Sequence, residues 1–166
     1  MTHRHGSRVS RSDGLSRRID FDDGSHIDYA YSADGVKLRA DYYLNPYAPA
    51  VPDGEFAIAC DSSLLVHTWR EYAGNRVYEN GVLSRLLFDG GYVSFGDSGE
   101  PTYHYYIKDY LGNNRIVADA HGNVEEVNHY YPYGALMGDS RNATTQPYKY
   151  IGKELDRTHG ARHHAP

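Results

Sequence analysis

Turn-forming glycines, most of them with an aspartate or asparagine on one side, recur along this chain at intervals too short for anything but brief strands. Turn glycines fall at Gly24 and Gly35, then at Gly81, Gly90, Gly99, Gly112 and Gly122, with spacings of 11 in the first group and 9, 9, 13 and 10 in the second. Between them lie short stretches in which apolar and polar residues alternate. Ile19 and Phe21 alternate with acids, Ile27, Tyr29 and Tyr31 alternate with Asp28 and Ala30, and Val36–Tyr42 follows the next turn. Period-two alternation bounded by Asp-Gly is the strongest short-range hairpin signal, because glycine, asparagine and aspartate tolerate the positive φ of a tight turn. The pattern predicts an all-β meander of antiparallel hairpins forming a curved open sheet. A helix is expected nowhere except across Lys153–Thr158.

Leu, Ile, Val and Phe make up only 31 of 166 residues, a share at the edge of disorder-like composition. Seventeen tyrosines supply apolar area that the aliphatic count misses, and tyrosine suits half-wet sheet faces. A net charge of −5 is too small to imply a strongly acidic or basic partner. The single cysteine, Cys60, excludes an intrachain disulfide and a cysteine-based zinc cluster. No apolar run approaches the roughly 18 residues that span a bilayer. The start of the chain lacks the apolar core of a signal peptide.

These patterns divide the chain into five segments. Residues 1–18 carry arginines with few apolar neighbours and are expected to be a disordered basic tail. No aromatic residues are interleaved there to stack on bases, so no nucleic-acid partner is expected. Residues 19–45 read as a first hairpin set. Residues 46–71, with Pro46, Pro49 and Pro52, read as a loop or insertion anchored at its end by Trp69. Residues 72–160 read as the main hairpin array, and 161–166 as a short tail.

The stretches Ile27–Leu38, Tyr105–Arg115, Asp119–Gly134 and Tyr148–Asp156 carry motifs that resemble the YD repeats and repeat-associated core of bacterial Rhs-type proteins. Ile27 to Leu38, including Tyr29, Tyr31, Asp34 and Gly35, resembles one YD repeat. Tyr105, Asp109, Leu111, Gly112 and Arg115 resemble the signature that opens the core. Asp119 and Gly122, followed by Tyr131, Pro132 and Gly134, resemble its continuation, and Gly152, Glu154 and Asp156 resemble its closing box. The style is similar to versions from Bacteroides-type bacteria. The resemblance implies part of a β-shell that encloses a C-terminal toxin or effector, with neighbouring YD repeats or that cargo as partners. It also implies a secreted or cell-surface setting.

The family continues past the closing box with a further glycine- and tyrosine-containing block. Here Thr158-His159-Gly160 passes straight into Ala161-Arg162-His163-His164-Ala165-Pro166. The expectation is therefore a truncated, non-catalytic structural fragment, lacking the aspartates that some members use to cut themselves. Sheet edges left by so few repeats are expected to favour self-association.

Candidate chemistry is sparse. His159, His163 and His164 do not match a helical metal-site spacing. Asp20, Asp22, Asp23 and Asp28 do not match a calcium loop. Nothing places Asp139 beside Asp156 as a proton-sharing dyad, Cys60 reads as a small buried hydrophobe, and no G-x-S-x-G elbow exists. No cofactor or metal is expected. The one alternative to cross-strand packing is a carbohydrate- or protein-binding platform built from Tyr103, Tyr105, Tyr106, Tyr130, Tyr131 and Tyr133.

Overall fold

The computed structural model describes residues 7–12, 14–47, 61–96 and 98–155. The chain is all-β, and its strands divide between two compact units, the first ending at Val82 and the second running from Leu83. The first unit holds β1 (Ser7–Ser12), β2 (Leu15–Phe21), β3 (His26–Tyr31), β4 (Lys37–Leu44), β5 (Val66–Ala73) and β6 (Arg76–Glu79). The second holds β7 (Val82–Phe88) from Leu83 onward, β8 (Gly91–Phe95), β9 (Pro101–Lys108), β10 (Asn114–Asp119) and β11 (Val124–Val127). Within each unit every strand pairs antiparallel with the next in sequence. In neither unit do the first and last strands pair, so each is an open meander.

One five-residue turn recurs six times among the described residues, at 21–25, 32–36, 109–113, 119–123, 131–135 and 149–153. Its first residue donates its N–H to the carbonyl of the fifth, and the fourth, always glycine, donates to the carbonyl of the first. The six glycines have φ between 65° and 86°. In the first five this is the three-residue hairpin loop that closes a type I turn with a left-handed residue, a conformation glycine takes without a Cβ penalty; at 149–153 Ile151 also has a positive φ, 52°. Where the first residue is aspartate, the side chain adds a second layer. Asp119 Oδ1 accepts from the His121 and Asn123 amides, both at 2.8 Å, and Oδ2 accepts from Asn123 Nδ2 at 2.7 Å. Asp109 makes the same three contacts with Leu111 and Asn113.

The first unit has a thin core of Ile27, Ala40 and Tyr42, with Phe21, Tyr29 and Leu44 packed against it. Side-chain ladders across the strands supplement that core. Arg18 bonds Asp20 at 2.7 Å and reaches Asp28, and Arg39 bonds Asp41 at 2.7 Å and Glu71 at 2.9 Å. Rings stack across β3, β4 and β5 in the order His26, Tyr43, His67, Trp69, with centroid separations of 4.4, 4.4 and 5.4 Å. Arg39 lies over Trp69, and His67 Nε2 meets Asp41 at 2.8 Å. Beneath the first turn, Asp23 accepts from the Ser25 amide and hydroxyl, and Asn45 donates to the Asp23 carbonyl. The acids at 20, 23 and 28 thus serve ion pairs and a turn.

Several segment boundaries differ from those expected. The supposed tail 1–18 contains β1 and the start of β2, because Ser12 pairs directly with Leu15 and Gly14 takes φ 78° to turn the chain. Backbone pairing to the apolar-bearing β2 orders a strand whose own side chains signal little. Strand β5 begins at Val66, inside the expected 46–71 loop; Asp61 caps a 3₁₀ turn at Ser62–Leu64 before it, and residues 48–60 lie outside the described residues. The 72–160 array gives strands only as far as Val127. Beyond it the chain is held by isolated bridges, Val127 to Arg141, Tyr130 to Leu136 and Tyr148 to Glu154. Instead of a helix from Lys153 there is a 3₁₀ turn at Tyr150–Gly152, and residues 156–166, with the three C-terminal histidines and Asp156, lie outside the described residues. Among the described residues no helix is long and apolar enough to cross a membrane.

Candidate functional site

The expected motif residues are distributed over turns and strands of both units rather than gathered in one place. In the first unit Tyr29 and Tyr31 lie 6.4 Å apart on β3, with Lys37 and Arg17 over their respective rings, and Tyr31 donates its hydroxyl to the Ser16 carbonyl. Asp34 and Gly35 form the tip of the 32–36 turn. In the second unit Asp109, Gly112, Asp119, Gly122, Gly134 and Gly152 occupy the repeated turn, and Leu111 is exposed at a turn tip. Arg115 lies over the Tyr130 ring and donates to His129. The Pro132 carbonyl accepts from the Tyr150 hydroxyl, while Gly134 lies so close that a Cβ there would sit 2.7 Å from Tyr150 Cγ.

The six tyrosines do not make one platform. Alternation along β9 puts Tyr103 and Tyr105 on one face and Tyr106 on the other, where burial pushes its hydroxyl pKa up. Tyr105 instead meets the edge of Phe88, Tyr130 is buried with its hydroxyl on the Asn114 carbonyl, and Tyr131 and Tyr133 are exposed around a turn.

The second unit gathers its polar chemistry on the Tyr106 face, around a buried carboxylate. Glu126 and Lys149 are 1% and 2% exposed and form an ion pair. Glu126 Oε1 also accepts from Asn128 and Gln146. Asn114, fully buried, donates through its amide group to the Tyr148 carbonyl, and its backbone carbonyl accepts from Asn128 and Tyr130. Gln146 donates to the Tyr148 carbonyl at 2.7 Å and accepts from the Tyr148 amide at 2.6 Å. Side chains, more than ladder bonds, therefore hold segment 128–155 against β10 and β11.

Beside this hub runs a second hydrogen-bonded chain. Ser94 Oγ and His104 Nε2 are 2.7 Å apart, and His104 Nδ1 lies 2.6 Å from Glu125 Oε2. Tyr92 stacks on the His104 ring at 4.3 Å and 12°, and its own hydroxyl is pushed up to about 12 by burial and by the Glu125 charge. No sequence motif announces this trio. It arises from cross-strand register between residues of β8, β9 and β11.

No protein-family model matches the chain, and no curated protein matches it in sequence. Its fold, however, is that of segments of Tc toxin chains. It is similar to the crystal structure of TcdB2-TccC3-TEV, with a TM-score of 0.64 at 18% identity. It is also similar to TcdB2-TccC3 without its hypervariable C-terminal region, with a TM-score of 0.61 at 18% identity. A third similar structure is a Tc holotoxin pore of Photorhabdus luminescens carrying a TccC3 mutation, with a TM-score of 0.63 at 18% identity. Each alignment covers 92% of this chain and 8% of the other, so the chain spans a small part of the length of those it matches. At this identity the likeness shows the fold alone.

Proposed function

We propose that this chain is a wall segment of an Rhs-type toxin shell, a structural piece that helps to enclose a C-terminal toxin or effector. The observation that carries the reading is that 92% of the chain follows the fold of a Tc toxin chain. The turn repeated at 21–25, 32–36 and four later positions supports it, because one iterated hairpin extends a meander without needing a large core of its own. Among the described residues β1 pairs only with β2, which leaves an edge where a further YD hairpin of a longer protein would add in register.

The test is a chimera in which residues 7–155 replace the matching segment of the TcdB2-TccC3 chain. A C-terminal region that stays resistant to added protease, as in the unaltered parent, supports a wall role. Digestion as fast as in a control with the segment deleted contradicts it.

A further inference from the structure

We propose that Ser94, His104 and Glu125 form a reactive-serine site that takes an acyl or phosphonyl group from an activated ester. The site is independent of the wall role, and it rests on geometry within the second unit.

Three features support it. The first is the order of partners: a hydroxyl on Nε2 of a histidine whose Nδ1 faces a carboxylate, at 2.7 and 2.6 Å. A carboxylate only accepts, so in the neutral ring Nδ1 carries the proton and Nε2 is left to accept from the serine. That is the tautomer a general base needs.

The second is that each member is fixed from outside the trio. Tyr92 stacks on the imidazole and sets its plane. Glu125 is the extra residue of a β-bulge: Val124 pairs with Ala118 and Glu126 with Val117, leaving Glu125 without a partner in the β10 register. A bulge re-aims the side chain it carries. Here it brings the Glu125 carboxylate to the same imidazole that Ser94 meets, which a regular strand would not do while also burying Glu126.

The third is local charge. Arg85 is the register partner of Ser94 on the neighbouring strand, so its side chain emerges on the same face. The Arg85 charge acts on the Tyr92 and Tyr106 hydroxyls, and a positive field on this face favours the anionic oxygen that develops when a carbonyl or phosphoryl centre is attacked.

In the step itself, the Ser94 Oγ lone pair forms a bond to the ester carbonyl carbon and the serine proton passes to His104 Nε2. The tetrahedral oxyanion collapses, the bond to the leaving alcohol breaks, and that alcohol departs with the proton from Nε2. Water then repeats the sequence and releases the carboxylic acid. With a fluorophosphonate the same attack breaks the phosphorus–fluorine bond, fluoride leaves, and a stable adduct stays on Ser94.

The test is fluorophosphonate labelling of the purified chain, read by intact mass and by mapping of the modified peptide. One adduct on Ser94 is expected, absent in Ser94→Ala. His104→Gln should slow its formation by about 10²–10⁴-fold, the usual contribution of a general base. Glu125→Gln is expected to slow it as well; this side chain is 26% exposed and its replacement spares the Tyr92 stack, so it keeps the test intact if His104→Gln does not fold. A merely structural network would change the melting temperature of these variants without producing a Ser94 adduct. Absence of an adduct on Ser94, or an adduct formed equally fast in Glu125→Gln or in urea-unfolded protein, overturns the proposal.

Discussion

The two units solve the same problem, a meander with little aliphatic core, in different ways. The first unit spreads its stabilisation over half-buried side-chain ladders: Arg18 with Asp20 and Asp28, Arg39 with Asp41 and Glu71, and the ring stack from His26 to Trp69. Such contacts are individually weak, about 0.2–1 kcal/mol each, and any hairpin can carry them. The second unit concentrates its polar contacts on one buried carboxylate, Glu126, which Lys149, Gln146 and Asn128 reach from an irregular segment. The contrast separates a pattern that can be repeated indefinitely from one that specifies a single ending. Buried ion pairs add little net stability but are costly to break on one side. The second design therefore trades tolerance for a defined arrangement.

Mutations can break this contrast. Lys149→Met strands the Glu126 charge and should cost about 3–5 kcal/mol in urea unfolding. Pairing it with Glu126→Leu should restore much of that loss, because the lone charge is then gone. A single-mutant cost near that of a surface residue would erase the difference between the units. Next in size, Gly134→Ala combines φ 84° with a Cβ driven into the Tyr150 ring. It should cost about 1–3 kcal/mol by the same measurement. Arg39→Ala, in the first unit, should cost under about 1 kcal/mol and less still in high salt.

The smallest expected effect is one of pH. The pKa values of Asp109 and Asp119 are held below the ordinary carboxylate range by the Asn113 and Asn123 side chains and by turn amides, although burial opposes the shift and is the largest single influence at Asp109. A depressed folded-state pKa means that the turn is fully supported above the unfolded carboxylate's pKa and loosens as pH falls through the folded one. Protection factors at the Asn113 and Asn123 amides should therefore drop in acid, while Gly134, in the same turn form opened by a tyrosine, should not respond. Equal loss at all three would remove the carboxylate from the explanation.

Much of the fold was legible because its punctuation is local. Asp-Gly and Gly-Asn pairs carry their own backbone preference, so the turns at 24, 35, 112 and 122 follow from residues next to one another in the chain. β1 was not legible, since Ser7–Ser12 offers only Val9 as an apolar residue and gains its order from pairing with β2. β5 was hidden by the proline-rich stretch before it, although Val66–Ala73 is itself strand-like. The covering of β10 and β11 by 128–155 depends on Asn114, Glu126 and Lys149, separated along the chain and joined only by folding. The Ser94–His104–Glu125 trio needed more again, because its acid is delivered by a bulge that sequence alternation conceals.

Amide hydrogen exchange of the unmodified chain tests the central contrast most directly. If side chains pin the irregular segment as described, the amides of Asn128, Met137, Arg141, Lys149 and Leu155, each bonded to a backbone carbonyl, will exchange as slowly as those of β9 and β10. Exchange of these amides at the rate of an exposed loop, while β9 and β10 remain protected, would contradict the account.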